Sequence, residues 1–368
     1  MKILLACGGT GGHIFPAISV AEELKRRDPR AEILYVCGKK DIENAIFKVV
    51  REEKVLSVTS APFKGRSSLW NPLFLIKLMC GFCQSAAILL REKPDAVVGF
   101  GGYFSFPVIL TAKAFGVPTL VHEQNVVPGV ANQFLSRFVD GVAVSFEETG
   151  RLLPRSKKLR TTGNPIRSSI ERDTRAEGLR VFGFSPGKET ILVLGGSQGA
   201  ESINTFFLEA LPLLPAERRS KIQVLHLCGR MDPEAAEAVL KREGVPGRVY
   251  SFFERMDLAY GVCDLAVGRA GATFLAEIAG KNMPAILIPY PHGSGHQLVN
   301  AQAFARTWRA TIVEQKDLTA EKLAGLLAET IEAQSGKREE AGGSASVNGA
   351  INARVLLADF IEGSISKK

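Results

Sequence analysis

The sequence contains the same opening pattern twice: an apolar run, a glycine-rich loop and then a helical segment. The first copy begins at Ile3 and reads ILLACGGTGGHIFPAISVAEEL. The second begins at Ile191, about 190 residues later, and reads ILVLGGSQGAESINTFFLEAL. A strand, a glycine loop and a helix in this order open a Rossmann-like unit, so the repeat predicts two such domains.

Short apolar runs alternate with helical patterns along the rest of the chain. The further candidate strands are EILYVCG, KVLSVTS, DAVVGFG, VPTLVHE and DGVAVS in the first half, and IQVLHLCG, RVYSF, DLAVG and PAILIPY in the second. Continuous apolar runs are typical of parallel strands that are buried on both faces. The chain is therefore predicted to be an α/β protein with two doubly wound sheets.

The polar stretch TTGNPIRSSIERDTRAEG, residues 161–178, lacks a clean period and is predicted to connect the two domains. We expect domains over 1–163 and 164–347. The apolar pattern at the end of the chain predicts a helix over 348–368 that packs back on the first domain.

The six cysteines are predicted to be buried thiols in a reducing compartment. Cys80 and Cys83 form a CxxC pair within an apolar helical pattern, and no second ligand pair stands at a zinc-binding distance. No Asp-x-Asp occurs to bind a divalent cation at a diphosphate. We expect neither a metal nor another cofactor.

The net charge of +8 predicts an anionic partner. The basic residues are scattered and no nucleic-acid-binding motif is present, which favours phosphorylated ligands or a membrane surface over nucleic acid. The apolar run in MKILLAC is too short for a signal peptide and is interpreted as a buried strand.

Three glycine clusters follow apolar runs: GGTGGH at 8–13, GFGGYF at 99–104 and GGSQGA at 195–200. Glycine lets the backbone approach a ligand closely, and a helix that follows presents unpaired N–H groups to an anion. GGTGGH lacks the Lys-Ser/Thr of a P-loop and the third glycine of a dinucleotide fingerprint. The set therefore favours phosphate cradles of another kind over simple turns.

Polar residues follow other predicted strands. Glu277 lies in the first turns of a helix, where its carboxylate can accept hydrogen bonds from sugar hydroxyls or simply favour the helix start. His13 lies between a glycine loop and a helix, where a base and a phosphate ligand are both open interpretations. Further candidates in loops are His122, Glu123, Asn125, Arg269, His292, His296 and Gln297.

Seven stretches occur in order between about residues 8 and 302: GGTGGHIFPAISVAEEL, GFGGYFSFP, HEQN, GNPIR, GGSQGA, RAGATFLAE and HQLVNA. Together they resemble the MurG family, bacterial N-acetylglucosaminyltransferases that convert lipid I to lipid II in peptidoglycan synthesis. The resemblance implies a GT-B fold, in which two Rossmann-like domains face a cleft. It also implies inverting transfer of N-acetylglucosamine from UDP-GlcNAc to the 4-hydroxyl of MurNAc-pentapeptide on undecaprenyl diphosphate.

By the same resemblance, the second domain binds the UDP-sugar and the first binds the acceptor and the membrane. The implied UDP-GlcNAc site comprises Thr10, Gly11, Gly12, Asn125, Arg167, Ser197, Phe253, Ala272, Thr273, Phe274, Glu277 and Gln297. Glu277 is expected to hold the ribose, Ser197 the diphosphate, and Phe253 the uracil through its backbone. The implied acceptor-diphosphate site comprises Gly9, His13, Gly101, Gly102 and Tyr103, with His13 also the candidate base.

One helical pattern predicts membrane contact. Leu75, Leu78, Met79 and Phe82 recur at i, i+3, i+4 and i+7, and Lys64, Arg66 and Lys77 stand nearby. Such a surface can lie on anionic lipid, although a helix packed on its own sheet explains the pattern as well. We expect peripheral binding at the cytoplasmic face of the bacterial inner membrane. The expected partners are UDP-GlcNAc, lipid I, anionic lipid and proteins of cell-wall synthesis and division.

Two other functions stay open. One is a different GT-B enzyme, either a UDP-GlcNAc 2-epimerase or a diacylglycerol glycosyltransferase. The other is a non-catalytic UDP-sugar-binding scaffold of cell-wall assembly. GGTGGH together with HEQN argues against the epimerase.

Overall fold

A computed structural model describes residues 1–38, 53–62, 71–153, 158–196, 199–292, 295–335 and 347–365. The chain divides into two compact units. The first unit is Met1–Arg167 with Ile351–Lys368, and the second unit is Ser168–Ala350. Each unit has its own parallel sheet with helices on both faces.

The first unit has a seven-stranded sheet in the order β3-β2-β1-β4-β5-β6-β7, and every pair in it is parallel. The strands are β1 (Lys2–Ala6), β2 (Glu32–Cys37), β3 (Lys54–Ser57), β4 (Ala96–Gly99), β5 (Thr119–Glu123), β6 (Gly141–Val144) and β7 (Leu159–Thr161). Strand β7 was not predicted, because it is a three-residue edge strand without an apolar run.

The second unit has a six-stranded parallel sheet in the order β10-β9-β8-β11-β12-β13. The strands are β8 (Glu189–Leu194), β9 (Ile222–Leu227), β10 (Gly247–Tyr250), β11 (Leu265–Gly268), β12 (Ala285–Leu287) and β13 (Ala310–Ile312). Here too a three-residue edge strand, β13, was missed.

Helices connect the strands of both sheets. In the first part of the chain they are α1 (Gly11–Arg27), α2 (Pro72–Glu92), α3 (Ser105–Ala114), α4 (Val130–Leu135) and α5 (Glu147–Arg151). They continue as α6 (Ser168–Glu171), α7 (Arg175–Phe182), α8 (Glu201–Ala210), α9 (Ala216–Lys221), α10 (Pro233–Arg242), α11 (Met256–Val262), α12 (Ala272–Gly280), α13 (His296–Ala305), α14 (Ala320–Ser335) and α15 (Val347–Ile365).

The order of the strands reverses once in each sheet, between β1 and β4 and between β8 and β11. In open α/β sheets, ligands bind beyond the carboxyl ends of the strands at such a point. The loops that leave these four strands contain GGTGGH, GFGGYF, GGSQGA and GRAGATF. The topology therefore brings the glycine loops of each unit to the position where a ligand is expected.

The strands of the first sheet alternate between two buried faces. Ile3 and Leu5 pack with α1 and the C-terminal helix α15, while Leu4 and Ala6 pack with α2 and α3. Burial on both faces explains why β1 reads as a continuous apolar run.

The C-terminal helix α15 packs on the first unit through ion pairs with Arg27 and through close packing of Phe360 on Gly141. The guanidinium of Arg27, at the end of α1, donates to Asp359 at 2.7 Å and to Glu362 at 2.7 Å. The ring of Phe360 lies against Gly141, where a Cβ would be 2.6 Å from the ring. A side chain at position 141 would therefore force the Phe360 ring to move.

Helix α2 packs on the first unit along one narrow stripe only, formed by Gly81, Ser85, Leu89 and Glu92. The prediction that all six cysteines are buried is therefore wrong for Cys80 and Cys83, which lie off this stripe and are exposed. The other four thiols are buried.

The exposed side of α2 is strongly apolar: Leu73, Ile76 and Met79 are 65%, 59% and 61% exposed. Of the four predicted membrane residues, only Leu75 and Met79 lie on this side. Leu78 and Phe82 are half-buried, and the Phe82 ring meets Phe106 edge-on at 6.4 Å. Lys64 and Arg66 lie outside the described residues.

Among the helices that the structure describes, α2 alone is long and apolar enough to cross a membrane. Its 21 residues are long enough for a span, although one such helix is weak evidence of one. The alternative of a helix buried on its own sheet does not hold for most of its surface.

Candidate active site

The first glycine loop ends at a helix start that is open to an anion. Gly9 has φ +86°, in the left-handed region that favours glycine. Thr10 is the N-cap of α1, but its side chain makes no capping hydrogen bond. No acidic residue stands in the first turn, so nothing opposes the positive end of the helix dipole. The start of α1 at Thr10, Gly11 and Gly12 thus has the features of helix N-termini that bind anions.

The second glycine loop lies against the first. A Cβ at Gly101 would lie 3.0 Å from Cε1 of His13, and one at Gly102 would lie 3.1 Å from the carbonyl oxygen of Gly8. Of the five residues predicted to bind the acceptor diphosphate, the structure therefore brings Gly101 next to His13 and Gly102 next to Gly8, which precedes Gly9. The fifth, Tyr103, follows directly, and its ring packs on that of Phe104 at 4.0 Å.

His13 is joined to the end of β5 by a chain of hydrogen bonds. Its Nδ1 lies 3.0 Å from Oε1 of Gln124, and Nε2 of Gln124 lies 2.9 Å from Nδ1 of His122. At the far end, Nε2 of His122 lies 3.0 Å from the carbonyl oxygen of Gly163. His122 and Gln124 are buried, and burial lowers the pKa of His122 to about 4, so it is neutral at pH 7.

Gln124 lies within HEQN but was not predicted as a site residue. Residues two apart at the end of a strand point to the same side. His122 was a candidate, and the two-residue spacing places Gln124 on the same side of the strand as His122.

Glu123, on the opposite side, organises the following loop instead of facing a ligand. One carboxylate oxygen accepts from the backbone N–H and the side-chain amide of Asn125, at 3.0 and 3.1 Å. The other accepts from the N–H of Gly129 and the amide of Asn132, at 3.0 and 2.8 Å. Asn125 is thereby held in a defined orientation.

Arg167 and Asn164 follow β7 at the end of the first unit. The Arg167 guanidinium lies 4.2 Å from the centre of the Phe15 ring, which ties it to α1. Both side-chain polar atoms of the buried Asn164 lack a hydrogen-bond partner among the described residues. Buried side-chain amides seldom lack hydrogen-bond partners. Asn164 is therefore a further candidate for ligand contact, and it was not predicted from the sequence.

In the second unit, the loop after β11 leads into α12 without an acidic residue in the first turn. Ala272 and Thr273 form this turn, and the Phe274 ring packs over Gly268. Glu277 is only 5% exposed, and its Oε2 accepts a hydrogen bond from the hydroxyl of buried Tyr260 at 2.7 Å. Tyr260, which the sequence analysis missed, therefore orients the carboxylate predicted to bind ribose.

Arg269 holds neighbouring loops together. Its guanidinium donates to the carbonyl of Ile288 at 3.1 Å and to Oε1 of Gln315 at 2.6 Å. The loop after β12 is further held because Oε1 of Gln297 accepts from the N–H of Tyr290 at 2.9 Å. Gln297 is thus placed at the start of α13, next to His296.

The Phe253 ring packs among other rings, 5.3 Å from Phe182 and 5.0 Å from Tyr250. Contact of its backbone with uracil, which the resemblance implies, stays a prediction. Ser197 lies outside the described residues. No group of three or more potential metal ligands occurs in the part of the chain that the structure describes.

Comparison with known proteins identifies the family. The glycosyltransferase family 28 N-terminal domain matches residues 3–144, and the family 28 C-terminal domain matches residues 190–352. The UDP-N-acetylglucosamine–N-acetylmuramyl-(pentapeptide) pyrophosphoryl-undecaprenol N-acetylglucosamine transferase of Halothermothrix orenii is 39% identical over 349 residues, 92% of each chain. The transferase of the same name from Thermoanaerobacter pseudethanolicus is 40% identical over 329 residues, 88% of this chain and 89% of the relative. The chain belongs to the MurG family of glycosyltransferases.

Solved structures agree with this assignment. Acinetobacter baumannii MurG is 26% identical, covers 98% of this chain and 99% of its own, and superposes with a TM-score of 0.71. A Neisseria meningitidis UDP-GlcNAc 2-epimerase is 15% identical with a TM-score of 0.68, which shows the fold alone. The predicted α/β fold with two Rossmann-like domains of GT-B type is confirmed, as is membership of the MurG enzymes.

Proposed function

We propose that this chain transfers N-acetylglucosamine from UDP-GlcNAc to the 4-hydroxyl of MurNAc-pentapeptide on undecaprenyl diphosphate, converting lipid I to lipid II in peptidoglycan synthesis. The names of relatives about 40% identical over about nine-tenths of the chain support these substrates. The observation that carries the chemistry is the position of His13, held against Gly101 where two glycine loops meet.

In the proposed reaction, His13 is the base for the acceptor. As the acceptor 4-oxygen forms its bond to the anomeric carbon, its proton passes to the imidazole. The bond from that carbon to the β-phosphate oxygen breaks, and UDP leaves with the electron pair, which inverts the configuration. Gly9, Gly101, Gly102 and Tyr103 would bind the acceptor diphosphate through backbone and ring.

The donor would be held mainly by the second unit. Ala272 and Thr273 begin a helix suited to the diphosphate, and Glu277 would accept hydrogen bonds from the ribose hydroxyls. Ser197, Phe253, Phe274 and Gln297 complete the proposed contacts there. Thr10, Gly11, Gly12, Asn125 and Arg167 are the contacts proposed for the first unit.

The test is product formation from purified lipid I and UDP-GlcNAc, with and without a chelator. We expect lipid II and UDP in equal amounts, at the same rate in both. Transfer to diacylglycerol instead, epimerisation of UDP-GlcNAc, or binding of UDP-GlcNAc without turnover would each overturn the proposal in favour of a rival. Loss of activity with chelator would contradict the metal-free chemistry.

We also propose that the enzyme binds peripherally to anionic lipid at the cytoplasmic face of the inner membrane, where it would meet proteins of cell-wall synthesis and division that act in cell shape and the cell cycle. The exposed side of α2 supports this, because Leu73, Leu75, Ile76 and Met79 project from it. Lys77 is exposed on the same helix.

The apolar surface continues beyond α2. Phe106 lies 5.4 Å from Phe134, and Phe134 lies 5.1 Å from Phe138, ring centre to ring centre. Phe134 and Phe138 are each more than two-fifths exposed. This row of rings widens the surface that lipid would cover.

Vesicle flotation tests the membrane proposal. Met79→Glu should reduce binding to anionic vesicles at least tenfold, whereas Leu213→Glu, an exposed leucine of the second unit, should not. Equal binding of the wild type to anionic and neutral vesicles would contradict the electrostatic part, and unchanged binding of Met79→Glu would contradict the surface.

A further inference from the structure

The hydrogen bonds that link His13 to Gly163 have a defined direction. The chain contains two imidazoles and one carboxamide, and each of these can donate or accept. Two backbone carbonyls also contact it, and a carbonyl oxygen can only accept. These two carbonyls determine which atoms along the chain carry hydrogen.

The first carbonyl belongs to Gly163. Because it accepts from Nε2 of His122 at 3.0 Å, that nitrogen carries the hydrogen. His122 is fully buried and neutral, since burial lowers its pKa to about 4. Its Nδ1 therefore has a lone pair and accepts a hydrogen bond.

The second carbonyl belongs to His122 itself. One side-chain atom of Gln124 lies 3.1 Å from this oxygen and 2.9 Å from Nδ1 of His122. Both partners accept, so this atom must be the amide nitrogen, with one hydrogen for each. The reversed amide would place an oxygen against two acceptors.

The orientation of Gln124 then determines the tautomer of His13. With the amide nitrogen facing His122, Oε1 faces His13 at 3.0 Å. This oxygen only accepts, so Nδ1 of His13 carries the hydrogen. In neutral His13 the lone pair is then on Nε2, to which no described residue donates a hydrogen bond.

We propose that Gln124 and His122 are positioning residues that hold His13 as its Nδ1–H tautomer, so that Nε2 is the atom that receives the proton of the acceptor hydroxyl. The proposal rests on the proposed function for the identity of that hydroxyl. In this tautomer neutral His13 has no hydrogen on Nε2 to donate to a phosphate, which favours the base over the phosphate ligand.

Every proton and electron pair of the proposed step has a defined destination. The hydroxyl proton goes to Nε2 while the acceptor oxygen bonds to the anomeric carbon and UDP departs with the electron pair. The resulting imidazolium keeps its Nδ1–H bond to Oε1 of Gln124, and Nε2 returns its proton to solvent after the product leaves. A base held in one tautomer and one ring orientation needs no rearrangement before it acts.

Nitrogen-15 NMR of the histidine rings tests the tautomer directly in the whole protein. The chain has only five histidines, so ring signals can be assigned with single His→Asn variants. At pH 8 we expect the Nδ1–H form for His13 and the Nε2–H form for His122. An Nε2–H form for His13 would overturn the proposal, whether or not the protein makes lipid II.

Gln124→Leu tests the consequence for catalysis. Without the amide, His13 should populate the other tautomer, and kcat should fall about tenfold or more while the KM for UDP-GlcNAc stays within about twofold. The matched control is Gln223→Leu in the second unit, another buried glutamine whose two amide atoms are both hydrogen-bonded.

The control should keep the kcat of the wild type and the Nδ1–H form of His13 even if it lowers stability. A Gln124→Leu enzyme with the kcat and the His13 tautomer of the wild type would overturn the positioning role. If Gln124→Leu does not fold, the wild-type spectrum alone decides the tautomer. If the wild type makes no lipid II but shows the expected tautomers, the proposed function fails and the hydrogen-bonded chain stands.

Discussion

The two units open with the same strand, glycine loop and helix, yet the loops are built differently. In the second unit, a Cβ at Gly195 would lie 2.1 Å from the backbone nitrogen of Ala200, and one at Gly199 would lie 2.7 Å from the carbonyl of Cys228. In the first unit, a Cβ at Gly9 would meet nothing within 4 Å. Gly196, the counterpart of Gly9 in the second loop, also has open space around it. The second loop therefore shares this open position, and it packs at Gly195 on its own backbone and at Gly199 on the loop that contains Cys228.

The helices that follow differ as well. Helix α1 begins Gly-Gly-His with no acidic residue in its first turn, whereas α8 begins with Glu201. Only the first loop contains a histidine. Among the described residues, a series of hydrogen-bonded side chains joins this histidine to the neighbouring strand β5. In the proposed function, the same backbone pattern thus supports a reactive group in the first unit and a binding surface in the second.

The buried histidines show the same contrast. His122 connects to the glycine loop through Gln124, while His226 is hydrogen-bonded to Asn204 at 2.9 Å and packs 5.8 Å from the Phe207 ring. Both are fully buried, but only His122 belongs to the candidate site. Burial of a histidine alone therefore does not mark function.

The largest effect should come from removing the reactive group. His13→Ala should lower kcat about 10²- to 10⁴-fold, the range for loss of a general base, with little change in KM for either substrate. Steady-state kinetics with lipid I and UDP-GlcNAc measures both constants. A raised KM with unchanged kcat would show that His13 binds phosphate instead, and that the contrast between the units is not one of reactivity.

Acid should destabilise both units through the buried histidines. Burial lowers the pKa of His122 and of His226 to about 4, from 6.5 in an unfolded chain. Between pH 6.5 and 4 these two histidines bind protons in the unfolded chain but not in the folded chain. Their contribution to the free energy of unfolding is therefore fully present above pH 6.5 and is lost as the pH falls. Each histidine should lower the free energy of unfolding by about 3 kcal/mol between pH 6.5 and pH 4.

Urea unfolding at a series of pH values measures this loss. His226→Gln should remove the contribution of one histidine in the second unit, while leaving that of His122 in the first. An unchanged pH dependence in this variant would contradict the assignment.

The binding role of the second unit is tested by the carboxylate and the tyrosine that orients it. Glu277→Gln should raise the KM for UDP-GlcNAc about tenfold, and Tyr260→Phe by a smaller factor, because each loses a hydrogen bond to a charged group. Both should keep kcat within about twofold. A fall in kcat with unchanged KM would place chemistry, and not only binding, in the second unit.

The smallest effect should come from the start of α8. Glu201→Gln removes a negative charge from a helix N-terminus near the expected diphosphate, so UDP should inhibit about two- to fivefold more tightly at low salt. The gain should shrink as salt is added. Unchanged inhibition at low salt would show that the diphosphate binds elsewhere, and the start of α12, without an acidic residue, would be the next candidate.

Most of the fold could be predicted because parallel strands buried on both faces leave an apolar run that is easy to find. The edge strands β7 and β13 were missed because they contain three residues each, and their backbone pairing is set by a neighbouring strand. In the site, the glycine loops and His13 were found from local pattern. Gln124 was missed because it acts through His13, 111 residues away in the chain, and Tyr260 because its contact with Glu277 joins two different helices.

The sequence by itself determined the two Rossmann-like units, the glycine loops and the family, since these follow from periodicity and from motifs that lie within single loops. Only the tertiary structure decided which side of α2 is exposed, and with it the exposure of Cys80 and Cys83. It alone also decided that Gln124 links His122 to His13. The reason is physical: local patterns record which residues can be buried, but burial and hydrogen bonding between residues 111 positions apart depend on how the strands are ordered in the sheet.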